Sequence, residues 1–131
     1  MARFRLPGGK LEYAVLRTLW ALGRGSARDI HARVTEPTGL AYTTVATVLD
    51  RLHSKGLVSR EKGPRGFQYW PRAPRAAVEG TRLRQTLDWL LTPEAAPAMA
   101  RLVDAVESID PELLDALAKE IAKKRKTRRG S

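Results

Sequence analysis

Between Leu40 and Pro71 the chain carries hydroxyls and cations at spacings suited to gripping a polyanion. Thr43, Thr47, Asp50 and Ser54 recur at three- and four-residue intervals, which on a helix puts them on one side. Thr44 and Arg51 fall on one flank of that side, and Tyr42 lies near its start. Arg60, Lys62 and Arg65 follow on an extended, glycine-punctuated stretch. Short hydroxyl side chains let a helix approach a groove closely and can bond phosphate or base edges. Cationic side chains hold phosphates without reading sequence. Tyr42, Thr43, Thr44, Thr47, Arg51, Arg60, Lys62 and Arg65 are therefore the candidate contacts to double-stranded DNA. Solvated threonines explain the first half alone, and an ordinary solvated hairpin explains the second. Their succession favours DNA.

Other chemistry finds no constellation. His31 and His53 fall on separate predicted helices, with no second His, Cys or acidic pair at metal-ligand spacing. Gly8-Gly9-Lys10 lacks the rest of a phosphate-binding loop and follows no strand. No Ser is paired with a base. The expectation is a protein that is not an enzyme, with no catalytic residues, no metal and no cofactor.

The elements that must position the contact residues can be read from periodicity. Leu11, Val15, Leu19 and Leu22, with Leu16 and Trp20 beside them, predict a helix over about 9–23, stopped by Gly23. Ser26-Ala27-Arg28-Asp29 forms a capping box, opening a short helix with Ile30 and Val34 inward. That helix is expected to end near Glu36, because Pro37 disfavours helix at the residue before it. Val45, Val48, Leu49 and Leu52 make the buried stripe of a third helix, about 41–55, closed by Lys55-Gly56. Leu57 to Lys62 and Phe67 to Pro71 read as two strands, with Gly63-Pro64-Arg65-Gly66 as a type I turn. Val58, Arg60 and Lys62 share one face of the first strand; Phe67 and Tyr69 share one of the second.

Behind this, Pro71 and Pro74 mark a hinge. Val78, Leu83, Leu87, Leu90 and Leu91 predict a helix from Arg75 to Leu91, with Trp89 nearby. A linker holding Pro93 and Pro97 follows. Met99, Leu102, Val103, Val106 and Ile109 form a further stripe. Asp110-Pro111-Glu112 is an N-terminal signature, with Asp as cap and Pro at the first helical position. Leu113, Leu114, Leu117 and Ile121 supply the last stripe. Three short amphipathic helices in about fifty residues bury too little volume to cover all of this apolar surface. A second copy would cover it, through Leu83, Leu87, Leu90, Leu102, Val106, Leu113, Leu117 and Ile121; packing back onto the front of a monomer is the alternative. A two-fold dimer also sets two reading heads about one DNA turn apart, matching a palindrome. Lys123 to Arg129 reads as a solvated basic tail.

Composition agrees with two modules. The 131 residues carry a net charge of +10 and 43% apolar residues, with no cysteine. Residues 1–91 hold 16 Lys/Arg against 7 Asp/Glu, residues 92–122 hold 2 against 7, and residues 123–131 hold 6 against none. A basic front suits a polyanion and an acidic rear suits protein contact. The absence of cysteine removes disulfides and fits a reducing cytoplasm. The N-terminus has no apolar signal region, and no run of about 18 apolar residues could span a membrane. The expected fold is mainly α with a small β-hairpin. A winged helix-turn-helix DNA-binding domain (1–73) is followed by a helical dimerisation region (74–122) and a basic tail (123–131).

Leu11-Glu12 with Val15-Leu16 and Leu19-Trp20, Thr44-Val45 with Thr47-Val48-Leu49, Arg51-Leu52 with Lys55-Gly56-Leu57-Val58, and Arg60 with Tyr69 and Pro71 form an ordered set. In this set the chain resembles the penicillinase-repressor family of bacterial winged-helix regulators (BlaI/MecI type, with the copper-responsive CopY branch). The resemblance implies a homodimeric repressor that occludes a promoter at an inverted-repeat operator. It implies Thr43, Thr44 and Thr47 facing the major groove, with Arg60, Lys62 and Arg65 along wing and backbone. Two departures bear on regulation. Relatives controlled by a sensor protease are cut at an Asn-Phe bond, and this chain has no Asn; copper-responsive relatives carry a C-terminal cysteine cluster, and it has no Cys. No upstream sensor is legible. Ala41 stands where the family often has a polar cap, leaving first-turn amides open to a DNA phosphate. A winged helix that docks on an acidic protein, and a DNA-bound activator or architectural factor, remain the alternative readings.

Overall fold

The computed structural model describes residues 3–34, 39–91 and 95–130. Along them run α1 (Gly9–Leu22), β1 (Gly25–Ser26), α2 (Ala27–Arg33), α3 (Tyr42–Ser54), β2 (Val58–Gly63), β3 (Gly66–Pro71), α4 (Arg75–Leu91), α5 (Ala95–Ile109) and α6 (Glu112–Gly130). The described residues are mainly helical with one small antiparallel sheet of order β1-β3-β2, and the chain divides into two compact units, Met1–Arg84 and Gln85–Ser131.

The core of the first unit is the meeting of the expected stripes. Val15, Leu16 and Leu19 from α1, Ile30 from α2, and Val45, Val48, Leu49 and Leu52 from α3 are buried together with Leu57, Val58 and Tyr69. Each such aliphatic side chain stabilises the fold by about 1.5–3 kcal/mol through burial. The capping box closes as expected: Asp29 N–H donates to Ser26 Oγ (3.1 Å) and Ser26 N–H to Asp29 Oδ2 (2.9 Å). The Ser26 amide first, and the Ser26 hydroxyl second, hold the Asp29 carboxyl below its ordinary value by hydrogen bonding to it. Gly56 reverses the chain after α3 at φ +78, and a Cβ there would lie 2.9 Å from the Arg3 carbonyl oxygen. This residue has to be glycine on both counts.

The hairpin pairs Arg60 with Tyr69 and Lys62 with Phe67 across β2 and β3, and its ends meet at Gly63 and Gly66. The turn residues are Pro64 and Arg65. Proline cannot take the positive φ of the tight hairpin turns, so the compensation falls on Gly66, at φ +101. A third strand, the two residues of β1, adds to the sheet by pairing Gly25 with Tyr69 and Ser26 with Gln68. Sequence periodicity contains no trace of it.

Two expectations differ from the structure, one falls partly outside the described residues, and one gains a conformation. The described part of α2 ends at Arg33 with Val34 as its C-cap; the expected end near Glu36, with Pro37, lies outside the described residues. The first compact unit runs past residue 73, because Val78 is fully buried in its core and Arg82 donates to the Tyr13 hydroxyl at 3.0 Å and to the Pro7 carbonyl. Pro97 is not in a linker but in the first turn of α5, where its missing N–H leaves no bond unmade. The basic tail, residues 123–130, is exposed and helical: it continues α6. Lys and Arg are good helix formers, and Lys123 pairs with Glu120 one turn back at 3.3 Å.

In the second unit α5 and α6 pack on each other. Asp110 caps α6, its Oδ1 accepting the Glu112 amide at 3.0 Å. Neither helix contains a buried residue.

Candidate nucleic-acid interface

α3 presents an uncapped N-terminus. Ala41 precedes it with no side-chain cap, and the first intrahelical bonds run from Thr44 and Val45 back to the Ala41 carbonyl at 3.1 and 3.2 Å. The Tyr42 and Thr43 amides at the helix start are exposed to whatever approaches. Just before α3, His31 of α2 lies within 2.6 Å of the Leu40 carbonyl through Nε2. Tyr42, 45% exposed, meets the same imidazole edge to face at 6.2 Å. These contacts fix how α3 leaves the preceding turn.

Thr43 and Thr47 are exposed on the outermost side of α3 and Thr44 is half-buried. Thr47 donates its hydroxyl proton to the Thr43 carbonyl at 2.9 Å. Its oxygen is thus left as an acceptor on an exposed residue, which suits an amino-bearing base edge. Arg51 is exposed on the flank toward α1, where its charge helps hold Glu12 ionised. Glu12 is itself nearly buried, 8% exposed. Burial pushes its carboxyl up, but the Lys55 ammonium at 2.6 Å, the Gly8 amide at 3.0 Å and the charges of Lys55 and Arg51 leave it lowered overall. This pair ties α1 to the end of α3.

On the other flank, Tyr42, Ala46 and Asp50 face the hairpin across a groove of about 800 Å³. Ser26 to Asp29 and Arg65 to Tyr69 complete its walls. Arg60 of β2 reaches α3: Nη1 donates to Asp50 Oδ1 at 2.6 Å, and the guanidinium lies 4.3 Å from the centre of the Phe67 ring. Burial raises the Tyr69 hydroxyl above its ordinary range despite the hydrogen bond and charge of Arg60. Arg60 therefore fastens the wing to α3, whereas Lys62 and Arg65 stand exposed on the wing itself. Arg24 braces the sheet, 3.3 Å from Glu61 and 4.4 Å above Trp70. Two participants are not among the contacts expected from the sequence, although Asp50 is placed there on the exposed side of the helix. Asp50 is an acid on the exposed side of α3, and Arg28 is an exposed cation on the groove wall. Arg28 was legible only as the middle of a capping box.

The chain matches the penicillinase repressor family over residues 8–123. It belongs to that family. Among its relatives is the transcriptional regulator BlaI of Mycobacterium tuberculosis, 32% identical over 115 residues, which are 87% of this chain and 82% of that protein. Solved structures similar to it include the CopR repressor, 32% identical over 54% of this chain and all of that one, with a TM-score of 0.44. The DNA-binding domain of the repressor BlaI is 20% identical over 56% of this chain and 92% of that one, with a TM-score of 0.48. Membership makes this chain a DNA-binding transcriptional regulator of a repressor family, not an enzyme. Among the described residues no helix is long and apolar enough to cross a membrane.

Of the residues expected to join two copies, Leu83, Leu90, Leu113 and Ile121 are exposed, and Leu87, Leu102, Val106 and Leu117 are half-buried. Trp89, at 80%, and Ile109, at 77%, are more exposed than any of these eight.

Proposed function

We propose that the protein acts as a cytoplasmic homodimer that represses transcription by occupying an inverted-repeat operator. Thr43, Thr44 and Thr47 read the major groove, with Tyr42 and Arg51 at its margins, and Lys62 and Arg65 lie along the sugar-phosphate backbone. Arg60 holds the wing at the angle this requires. The observation that carries the reading is the exposed hydroxyl face at the uncapped start of α3, set beside a cationic wing across an open groove. Pairing through residues 74–122 is supported by the exposed apolar side chains of the rear helices, a density of apolar surface that isolated soluble chains seldom leave uncovered. The 131 residues contain neither Asn nor Cys, so neither an Asn-Phe bond nor a cysteine cluster lies within them.

The two elements separate by mutation. Arg65→Ala should weaken binding to all duplexes alike and make the salt dependence shallower by about 0.9 for each chain bound. Thr47→Ala should instead change the relative affinities of operator variants. For a dimer touching about eight phosphates, log K against log salt should fall with a slope of roughly −7. Equal losses on every sequence for both variants, or a salt slope near zero, would remove this assignment.

A further inference from the structure

The end of α6 carries a concentration of positive charge that the reading head does not include. The apolar stripe of this helix stops at Ile121, and the positions that would continue it, Lys124, Arg125 and Arg128, are all cationic. Yet the helix continues through Gly130. Lys123, Lys124, Arg125, Lys126, Arg128 and Arg129 project on every side, leaving no gap wider than about 100° around the axis. Attraction to the C-terminal helix dipole accounts for cations in the last turn only, and four of the six come before Thr127. Meanwhile Lys119–Lys123, Lys124–Arg128 and Arg125–Arg129 are like-charged pairs four residues apart. Each opposes helix by about 0.2–0.5 kcal/mol. A polyanion would remove that opposition.

We propose that Lys123–Arg129 is a second DNA-binding element, a cationic helical segment that engages phosphates and reads no bases. A lipid surface would need an apolar face opposite the cations, and this segment has none. Duplex DNA matches it in charge density. Seven helical residues rise about 10 Å, and over that distance a duplex carries about six phosphates, against six cations here. The proposal rests on the DNA-binding reading above but concerns residues other than those of α3 and the wing.

The test compares the full chain with K123Q/K124Q/R125Q/K126Q, in which glutamine keeps helix propensity and removes charge. Helicity by circular dichroism and mass by sedimentation should be unchanged. On a mixed-sequence duplex of about 30 base pairs, the variant's salt slope should be shallower by about 2–4 for each chain bound. The affinity ratio between a selected and a mixed-sequence duplex should be preserved. An unchanged slope would overturn the proposal, as would a variant that loses only its binding to phosphatidylglycerol vesicles. R65A, run in parallel, tells the two readings apart. If R65A is shallower and the glutamine variant is not, only this proposal fails; if neither differs from the full chain, the head assignment fails as well.

Discussion

Replacing Arg60 should do more harm to DNA binding than replacing the more exposed Arg65, for a reason visible only in three dimensions. Arg60 neutralises Asp50 at 2.6 Å, and Asp50 sits on the exposed side of α3 with Thr43 and Thr47. The stability cost is small. The Asp50 side chain is 67% exposed, so the ion pair contributes about 0.5 kcal/mol, and the stacking on Phe67 adds about as much. Arg60→Ala should therefore lower fold stability by only about 1 kcal/mol and leave the circular dichroism spectrum intact. Binding suffers differently, because the freed carboxylate faces the duplex. At roughly 7 Å from a phosphate, with an effective dielectric of about 40, the repulsion is on the order of 1 kcal/mol. That corresponds to about a five-fold change in Kd per half-site, beyond the loss of the cation itself. Adding Asp50→Ala to Arg60→Ala should recover that five-fold. Gel-shift titrations of wild type, both single variants and the double variant at one fixed salt concentration close the cycle. If Arg60→Ala and the double variant bind alike, Asp50 does not face phosphates and this side of α3 is not the reading face.

Two further outcomes follow from the same geometry. Glu12 has a folded pKa below its ordinary value of 4.5, so its contribution is fully present above that value and is lost as pH falls through the lower, folded one. Glu12→Gln should thus cost about 2 kcal/mol in urea unfolding at neutral pH, with the gap to wild type closing in acid; a gap that widens in acid would contradict the Lys55 pairing. Leu113→Asp, on an exposed apolar position of α6, should weaken self-association by on the order of 3 kcal/mol, about a hundred-fold. Sedimentation would then show monomer where wild type is dimer, and identical masses would remove Leu113 from the pairing surface.

Much of this architecture was legible because its helices bury one stripe each. The α3 stripe predicts an end within a residue of the observed one, and the Arg75–Leu91 helix agrees with α4 at both ends. The wing was readable from Pro64, Gly66 and alternating side chains. What escaped has physical reasons. Strand β1 is two residues long, too short for periodicity; it is defined by pairing Gly25 with Tyr69 and Ser26 with Gln68, partners more than forty residues away in the sequence. Pro97 looked like a breaker because a proline's effect depends on whether it falls in a first turn, which composition does not reveal. The run Lys123 to Arg129 is helical because Lys and Arg favour helix, a propensity that dense like charge masks in the sequence. At the candidate interface, the hydroxyl face and the wing cations were found from spacing. The Asp50–Arg60 pair and the position of Arg28 were not, since both depend on how the hairpin folds back against α3.

The central claim is that two copies of this chain place two α3 helices on an inverted repeat. Selection of duplexes from a random pool by the purified full chain tests it most directly. The account predicts enrichment of a palindrome whose half-site centres lie about 10 base pairs, one helical turn, apart. Enrichment of a single unrepeated site, or no enrichment at all, would contradict it.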